Sequence, residues 1–307
     1  MPCTVSLIRT AYSLNGINDS ITKSINSVNF DLPNPVKSVV IKPNLCYYWD
    51  PATGQTTDPR VVSGIIDFVR EKFGEDVDIK VAEADASAMR TKYAFRCLGY
   101  DKLSKQKAVD LLNLSEDVLV EKVVSVGKRE ISFQVPQILL SSDLFINVPK
   151  LKIMRETKIT CAMKNIFGCI GFPRKAKYHP ILDEAIVGIN KVLHPHLTVV
   201  DGLVALGRFP VKLGLIMTGV DTFSVDWIAA RILGYTPSSV KSLKLAMAEK
   251  IGDPRGLVTC GERVEDFAQS FPKQGFMPKK YLWALQLKLL KAYQKLSGDI
   301  IPPALEG

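Results

Sequence analysis

The sequence predicts an α/β fold: a two-lobed molecule of mostly parallel sheets flanked by helices, with a ligand cleft between the lobes. Three observations lead there. Short β-branched runs alternate with helical stretches, the runs are almost continuously apolar, and several of them end in polar residues. A strand apolar on both faces must be covered on both faces, which is the situation of a parallel sheet between helix layers. At 307 residues the chain is long enough for one large domain or two ordinary ones. The expected division is a first α/β lobe over 5–140, a second over 141–265 and a C-terminal helix and tail over 266–307.

The first strand is "TVSLIRT", followed by a weakly patterned helix over 17–28. "VKSVVIKP" is the second strand, stopped at Pro43, which has no N–H for a ladder. A loop from Asn44 leads to Asp58, an N-cap with Pro59 at the first helical position. "RVVSGIIDFVREKF" then places apolar residues at 61, 62, 65, 66, 69 and 73, one helical stripe ended by Gly74. "DIKVAEAD" is the third strand. "VLVEKVVSV" and "EISFQVPQIL" read as a hairpin through Gly127, Lys128 and Arg129. "SDLFINVPKL" is a buried strand ending at Pro149, and residues 157–167 read as a short helix. "DEAIVGINKVL" is a helix, and "LTVVDGLVAL" and "LGLIMTGVD" are strands. "TFSVDWIAARILGY" is a helix closed by Gly234, and "SSVKSLKLAMAEKIG" one capped by Ser238 or Ser239 and stopped by Gly252. Last comes the amphipathic "PKKYLWALQLKLLKAYQKL". Its wide apolar face suits packing on the domain, with peripheral contact of 279–296 with an anionic membrane as the weaker alternative.

Charge narrows the function. Forty Lys and Arg against 31 Asp and Glu give a formal charge of +9. Residues 150–177 alone hold eight basic side chains (Lys150, Lys152, Arg155, Lys158, Lys164, Arg174, Lys175, Lys177) and one acid, Glu156. Such local charge points to a site for an anion rather than a generally basic surface. The window matches no nucleic-acid module and has no aromatic interleaving. Neither GxxxxGK[ST] nor GxGxxG occurs. The six cysteines form no CxxC and no ferredoxin-type run, no signal segment is evident, and no apolar run reaches the ~18 residues of a spanning helix. The expectation is a reduced, cytoplasmic protein without a built-in cluster motif.

Ligands of open α/β sheets sit beyond the carboxyl ends of strands. Here those ends carry Lys42 and Asn44, then Glu83, Asp85 and Ser87, then Lys150 and Lys152, then Asp201 and Asp221. Lys164 has apolar neighbours in "AMKNIFG"; partial desolvation would lower its pKa and make it a base or nucleophile. His179, in "KYHPIL", is a general acid/base or metal ligand, whereas His194 and His196 flank Pro195 in an exposed turn. Cys46, Cys161 and Cys169 could ligate a metal or cluster, although buried free cysteines more commonly act as small hydrophobes. Lys150, Lys152, Lys164 and His179 are expected to line one concavity with Lys42 and Asn44, with Gly168 and Gly171 as close-approach positions.

Taken in order, "VIKPNL", "TDPRVV", "LFINVPKLK", "KITCAMKNIFGCIG", "DEAIVGIN", "LTVVDG" and "GVDTFSVDWIAARILG" resemble the family known as domain of unknown function 362, over residues 5–235. Members often carry an appended ferredoxin-like domain; this sequence shows none of its cysteine motifs, so any electron transfer would need a separate electron-transfer protein. The family is in turn distantly similar to lactate racemase, whose two α/β domains enclose a nickel-pincer nucleotide tethered to a lysine. The resemblance puts Lys164 at the tethering lysine, His179 at a metal-contacting histidine and Arg60 at a substrate-site arginine. Met154 stands where that pattern has another histidine, and "DGLVALGRFP" lacks the acidic residue and extra glycine usual in its loop. Methionine is a soft, weak ligand that suits other metals.

Three readings follow. The first is an enzyme of isomerase or oxidoreductase type acting on a small carboxylate or phosphate. In it, Lys42, Asn44, Arg60, Lys150, Lys152, Asn165 and Asp201 bind the anion while Lys164 and His179 transfer protons. The second is a non-catalytic binding or scaffold protein that kept the fold. The third is a metal or iron–sulfur protein using Cys46, Cys161 and Cys169; the candidate ligands for a single metal ion are Met154, His179, Cys161 and Cys169.

Overall fold

The computed structural model describes residues 4–271 except 29, 32 and 88, so the expected helix over 279–296 lies outside the described residues. The strands are β1 (Thr4–Arg9), β2 (Ser38–Pro43), β3 (Asp78–Glu83), β4 (Asp110–Asn113), β5 (Leu119–Val126), β6 (Arg129–Pro136), β7 (Leu144–Val148), β8 (Lys150–Met154), β9 (Lys158–Thr160), β10 (Leu197–Leu206), β11 (Pro210–Gly219) and β12 (Val258–Gly261). The helices are α1 (Leu14–Ser27), α2 (Pro59–Phe73), α3 (Thr91–Cys97), α4 (Tyr100–Lys107), α5 (Ile138–Ser141), α6 (Ala162–Phe167), α7 (Leu182–Asn190), α8 (Thr222–Ile232), α9 (Lys241–Ala248) and α10 (Val264–Ala268).

The fold is α/β, with a large, mostly parallel sheet flanked by helices. Its strands run in the order β12-β1-β11-β10-β7-β2-β3-β4, with β8 attached to β10 and β9 to β8. The β1–β11, β10–β11 and β8–β9 pairs are antiparallel, and the other pairings in this sheet are parallel. Strands from either side of residue 140 share this one sheet: β2 pairs with β7, and β1 with β11. The expected hairpin is present as the separate β5–β6 ribbon.

Alternation along the strands sorts the core into two layers. Ile41, Val81, Ile146 and Val199 pack with Ile17 of α1, Ile65 of α2 and Leu103 of α4. Their chain neighbours Val40, Ala82, Phe145 and Val200 point the other way, toward Ile166 of α6, Ile186 of α7, Ile228 of α8 and Leu243 of α9. Caps follow the residues that announced them: the Asp58 carboxylate accepts from Arg60 N at the start of α2, and Gly74 ends it at φ +96°.

Two local readings need correction. Residues 157–167 are not one helix. Thr157 Oγ1 donates to Ile159 O, Lys158 takes φ +64°, and β9 turns back on β8 before α6 begins at Ala162. The β-branched Ile159 and Thr160 suit that strand better than a helical turn. Neither Ser238 nor Ser239 caps α9; both lie in a short 3₁₀ turn begun by Pro237, and α9 ends at Ala248. Gly252 is needed for another reason: a Cβ there would come within 2.0 Å of the Phe223 ring.

Candidate functional site

A cavity of about 240 Å³ opens beyond the carboxyl ends of β2 and β3. Lys42 and the loop from Asn44 to Tyr47 form one wall, and Glu83, Ala84, Ala86, Ser87 and Met89 continue it. The facing wall is Lys152 and Met154 of β8, Thr160, Lys164, Asn165 and Phe167. Gly168, Lys175, Ala176 and His179 complete it.

Asn165 ties the walls together. Its Oδ1 accepts from Asn44 Nδ2 at 3.0 Å and from Lys42 Nζ at 3.3 Å, and its Nδ2 donates to Asn147 Oδ1 at 2.8 Å and to Lys42 O at 3.3 Å. Both ends of this buried amide are therefore satisfied, as burial demands. The helix that carries it is held from outside: Asp226 of α8 accepts from Ala162 N (2.6 Å) and Met163 N (3.1 Å), and Asn190 of α7 donates to Met163 O (2.9 Å). The short α6 therefore presents Asn165 to the strand ends and its neighbour Lys164 to the cavity.

Four lysines line the space, and they differ in what neutralises them. Lys42 is paired with Glu83 at 2.8 Å, while the Glu83 carboxylate also accepts from Leu45 N and Ala84 N. Among the described residues Lys152 donates only to neutral oxygens, Asn44 Oδ1 (2.8 Å) and Gln55 O (2.7 Å). Lys164 donates to Thr157 Oγ1 at 3.1 Å and Lys175 to Gly168 O at 2.8 Å. Among the described residues, none of Lys152, Lys164 and Lys175 forms a salt bridge. Burial pushes the Lys164 amine down to about 8, with the Lys152 charge adding to the effect. Burial likewise brings Lys175 down to about 8, against the pull of Glu83, and lowers Lys152.

Lys42, Asn44, Lys152, Met154, Lys164, Asn165 and His179 thus meet on one cavity, His179 at its exposed rim. Other expected residues do not join them. Lys150 and Asp201 form a wholly buried ion pair at 2.8 Å, and Asp201 also accepts from Asp58 N and Leu203 N, so both are spent inside the fold. Arg60 is occupied by Asp58 at 2.7 Å and by Tyr12 O at 2.9 Å, away from the cavity. Asp221 caps α8. Gly171 makes room for Leu119 rather than a ligand, whereas Gly168 does line the cavity, against the Lys42 side chain.

The cysteines separate as well. Cys46 reaches the cavity, but Cys161 and Cys169 are buried in the apolar core, and burial pushes the Cys169 thiol up to about 12. Among the described residues no three His, Cys, Asp or Glu side chains gather as a metal-ligand set. A metal-pincer nucleotide does not fit these residues: the wall offers one rim imidazole, two thioethers (Met89 and Met154) and the Cys46 thiol, its carboxylate Glu83 is taken by Lys42, and the space lies below the ~300–1,000 Å³ of pockets for drug-sized ligands.

Lys175 belongs to the basic window of the sequence but is not singled out there. Nothing in "PRKAKY" distinguishes it from Arg174 and Lys177; in the fold it is buried, with its Nζ donating to Gly168 O. Tyr47 is not singled out either; its φ of +62°, uncommon for an aromatic residue, has no sequence signal beyond its loop.

A family model described as "Domain of unknown function (DUF362)" matches residues 39–231. The chain is 25% identical over 232 residues to the thylakoid-associated protein sll1697 of Synechocystis sp., covering 71% of this chain and 69% of that one. Among solved structures it is similar to a Thermotoga maritima protein at TM-score 0.44 and 14% identity, covering 77% of this chain. It is similar also to the lactate racemase apoprotein of Thermoanaerobacterium thermosaccharolyticum at TM-score 0.40 and 12% identity, covering 71% of this chain. The chain spans 59% and 54% of the length of those two. Among the described residues no helix is long and apolar enough to cross a membrane.

Proposed function

Because the chain belongs to the DUF362 family, which the match over residues 39–231 shows, we propose its function from the cavity: binding of a small carboxylate- or phosphate-bearing molecule, with proton transfer by Lys164 and His179. One observation carries this reading. Lys152, Lys164 and Lys175 face one small space with only neutral hydrogen-bond partners among the described residues. Burying ammonium groups without counter-charge is costly, and a bound anion would supply that counter-charge. Lys152 and Lys175 hold the anion. Lys164, lowered to about 8, is neutral often enough near neutral pH to accept a proton, and His179 sits at the solvent side. The largely apolar remainder, with Leu45, Met89 and Phe167, suits the body of a small organic acid. Arg60, Lys150 and Asp201 support the frame instead.

Ligand-observed NMR in D₂O tests both parts at once. A panel of small carboxylic acids and phosphate esters is expected to contain a molecule whose signals broaden with the protein and whose acidic C–H signal fades by exchange, the fading abolished in Lys164→Ala. Binding without exchange, unchanged in Lys164→Ala, would leave a non-catalytic binding protein. No binding by any anion would overturn the reading.

A further inference from the structure

We propose that Lys164 is a nucleophilic amine that condenses with the carbonyl carbon of a small anionic carbonyl compound, a 2-oxo acid or an aldehyde acid, to form an imine within the cavity. This rests on the anion-binding reading and adds the reacting group of the ligand.

Four features of the site support it. Lys164 Nζ is held at 3.1 Å by a hydroxyl, Thr157 Oγ1, rather than by a carboxylate that would fix it as an ammonium. Its neighbour on the cavity wall is the cationic Lys152, itself anchored by Asn44 and Gln55. An amine desolvated beside a second cation is the arrangement that frees a lysine lone pair for attack on carbonyl carbon. Phe167 and Met154 give the space apolar walls that limit competing water. Lastly, the site holds separate groups for the two ends of such a molecule: Lys152 and Lys175 for the charged end, Lys164 for the carbonyl. A plain carboxylate or phosphate would leave Lys164 to proton transfer alone.

The step balances without an oxidant or reductant. The Nζ lone pair attacks the carbonyl carbon and forms an N–C bond, and proton transfer gives a neutral carbinolamine. That species loses its hydroxyl, with the remaining N–H hydrogen, as water and leaves the C=N double bond. Amine plus carbonyl thus becomes imine plus water. His179, the imidazole on the cavity wall, can pass protons between the departing hydroxyl and solvent.

The test is reductive trapping on the full chain. Protein is incubated with glyoxylate, pyruvate or acetaldehyde and sodium cyanoborohydride, then analysed by intact mass and peptide mapping. The expected result is a single early adduct at Lys164 with an oxo acid. It should form about tenfold or more faster than with uncharged acetaldehyde, as one charge-assisted hydrogen bond would give. The adduct should be absent in Lys164→Arg, and in Lys152→Met it should be slowed for the oxo acids alone. Modification spread over surface lysines, or centred on Lys175, would overturn the proposal. So would Lys164→Arg labelled like wild type. The wild-type peptide map decides even if a variant does not fold. Two outcomes separate this inference from its base. Propionate or phosphate bound in the cavity with no trapping at Lys164 overturns the imine and leaves anion binding standing. Acetaldehyde trapped at Lys164 as fast as glyoxylate overturns the anionic substrate class.

Discussion

Lys152 Nζ lies 2.8 Å from Asn44 Oδ1, a neutral amide oxygen where an ion pair would have a carboxylate. The ammonium is therefore positioned without being neutralised, and its charge stays available to a ligand. Asn44→Asp keeps the shape and adds the missing charge, with loss of the hydrogen bond from Asn44 Nδ2 to Asn165 Oδ1. Anion affinity is expected to fall by about tenfold or more, the worth of a charge-assisted hydrogen bond, with the fold retained. Titration calorimetry against the best anion found for wild type checks this, and unchanged affinity would remove Lys152 from the binding role.

Lys164 gives a pH signature. Its folded-state pKa of about 8 lies below the 10.5 of an ordinary lysine, so between those values the unfolded chain holds a proton that the folded chain does not. The Lys164 contribution to the stability of the ligand-free protein should therefore rise as pH climbs from about 8 toward 10.5, and Lys175 adds in the same direction. The thiols of Cys161 and Cys169, raised by burial, oppose it at the upper end of that range, so the comparison of wild type with a Lys164 variant isolates the Lys164 contribution. Lys164→Met should flatten part of that rise. Anion affinity should move the opposite way, weakening above about pH 8 as the amines lose their protons. Urea midpoints and binding constants between pH 6.5 and 10 test both slopes.

Lys150 and Asp201 are expected to matter for stability and not for ligand. Their side chains are 0% exposed, so removing one partner strands a buried charge at a cost of about 3–5 kcal/mol. Lys150→Met should show that loss in chemical denaturation. The double change Lys150→Met with Asp201→Leu should recover much of it, and anion affinity should stay near wild type wherever the protein is folded. A selective loss of binding would restore Lys150 to the site.

These residues also show what could be read in advance. Lys42, Asn44 and Glu83 were legible because polar residues ending apolar strands stand out locally, and Lys164 because its neighbours are apolar. Lys150 carries the same local signal as Lys152. What separates them is the β8–β10 register, which sets Lys150 opposite Asp201, a partner 51 positions away that no local pattern announces. Arg60 is taken up by the cap two residues before it, and Lys175 is buried only by tertiary packing. The helices over 91–107 leave little signal in the sequence: α3 is seven residues long, and α4 is largely polar and buries only Tyr100 and Leu103.

The cysteines offer a chemical footprint. Cys46 borders the cavity, whereas Cys161 and Cys169 are buried with raised pKa values and should resist alkylation in the native state. Iodoacetamide under native conditions should spare both, and a saturating anion should slow labelling of Cys46. Rapid native labelling of Cys161 or Cys169 would contradict the packing described.

The central claim is that Lys152, Lys164 and Lys175, which have no carboxylate partner among the described residues, make this cavity an anion site. It is tested most directly by titrating inorganic phosphate and small mono- and dicarboxylates into wild type, Lys152→Met and Lys175→Met, each shown to be folded. At least one of these anions is expected to bind wild type and to bind each variant about tenfold or more weakly. Wild type binding none of them, or the variants binding as tightly as wild type, would contradict it.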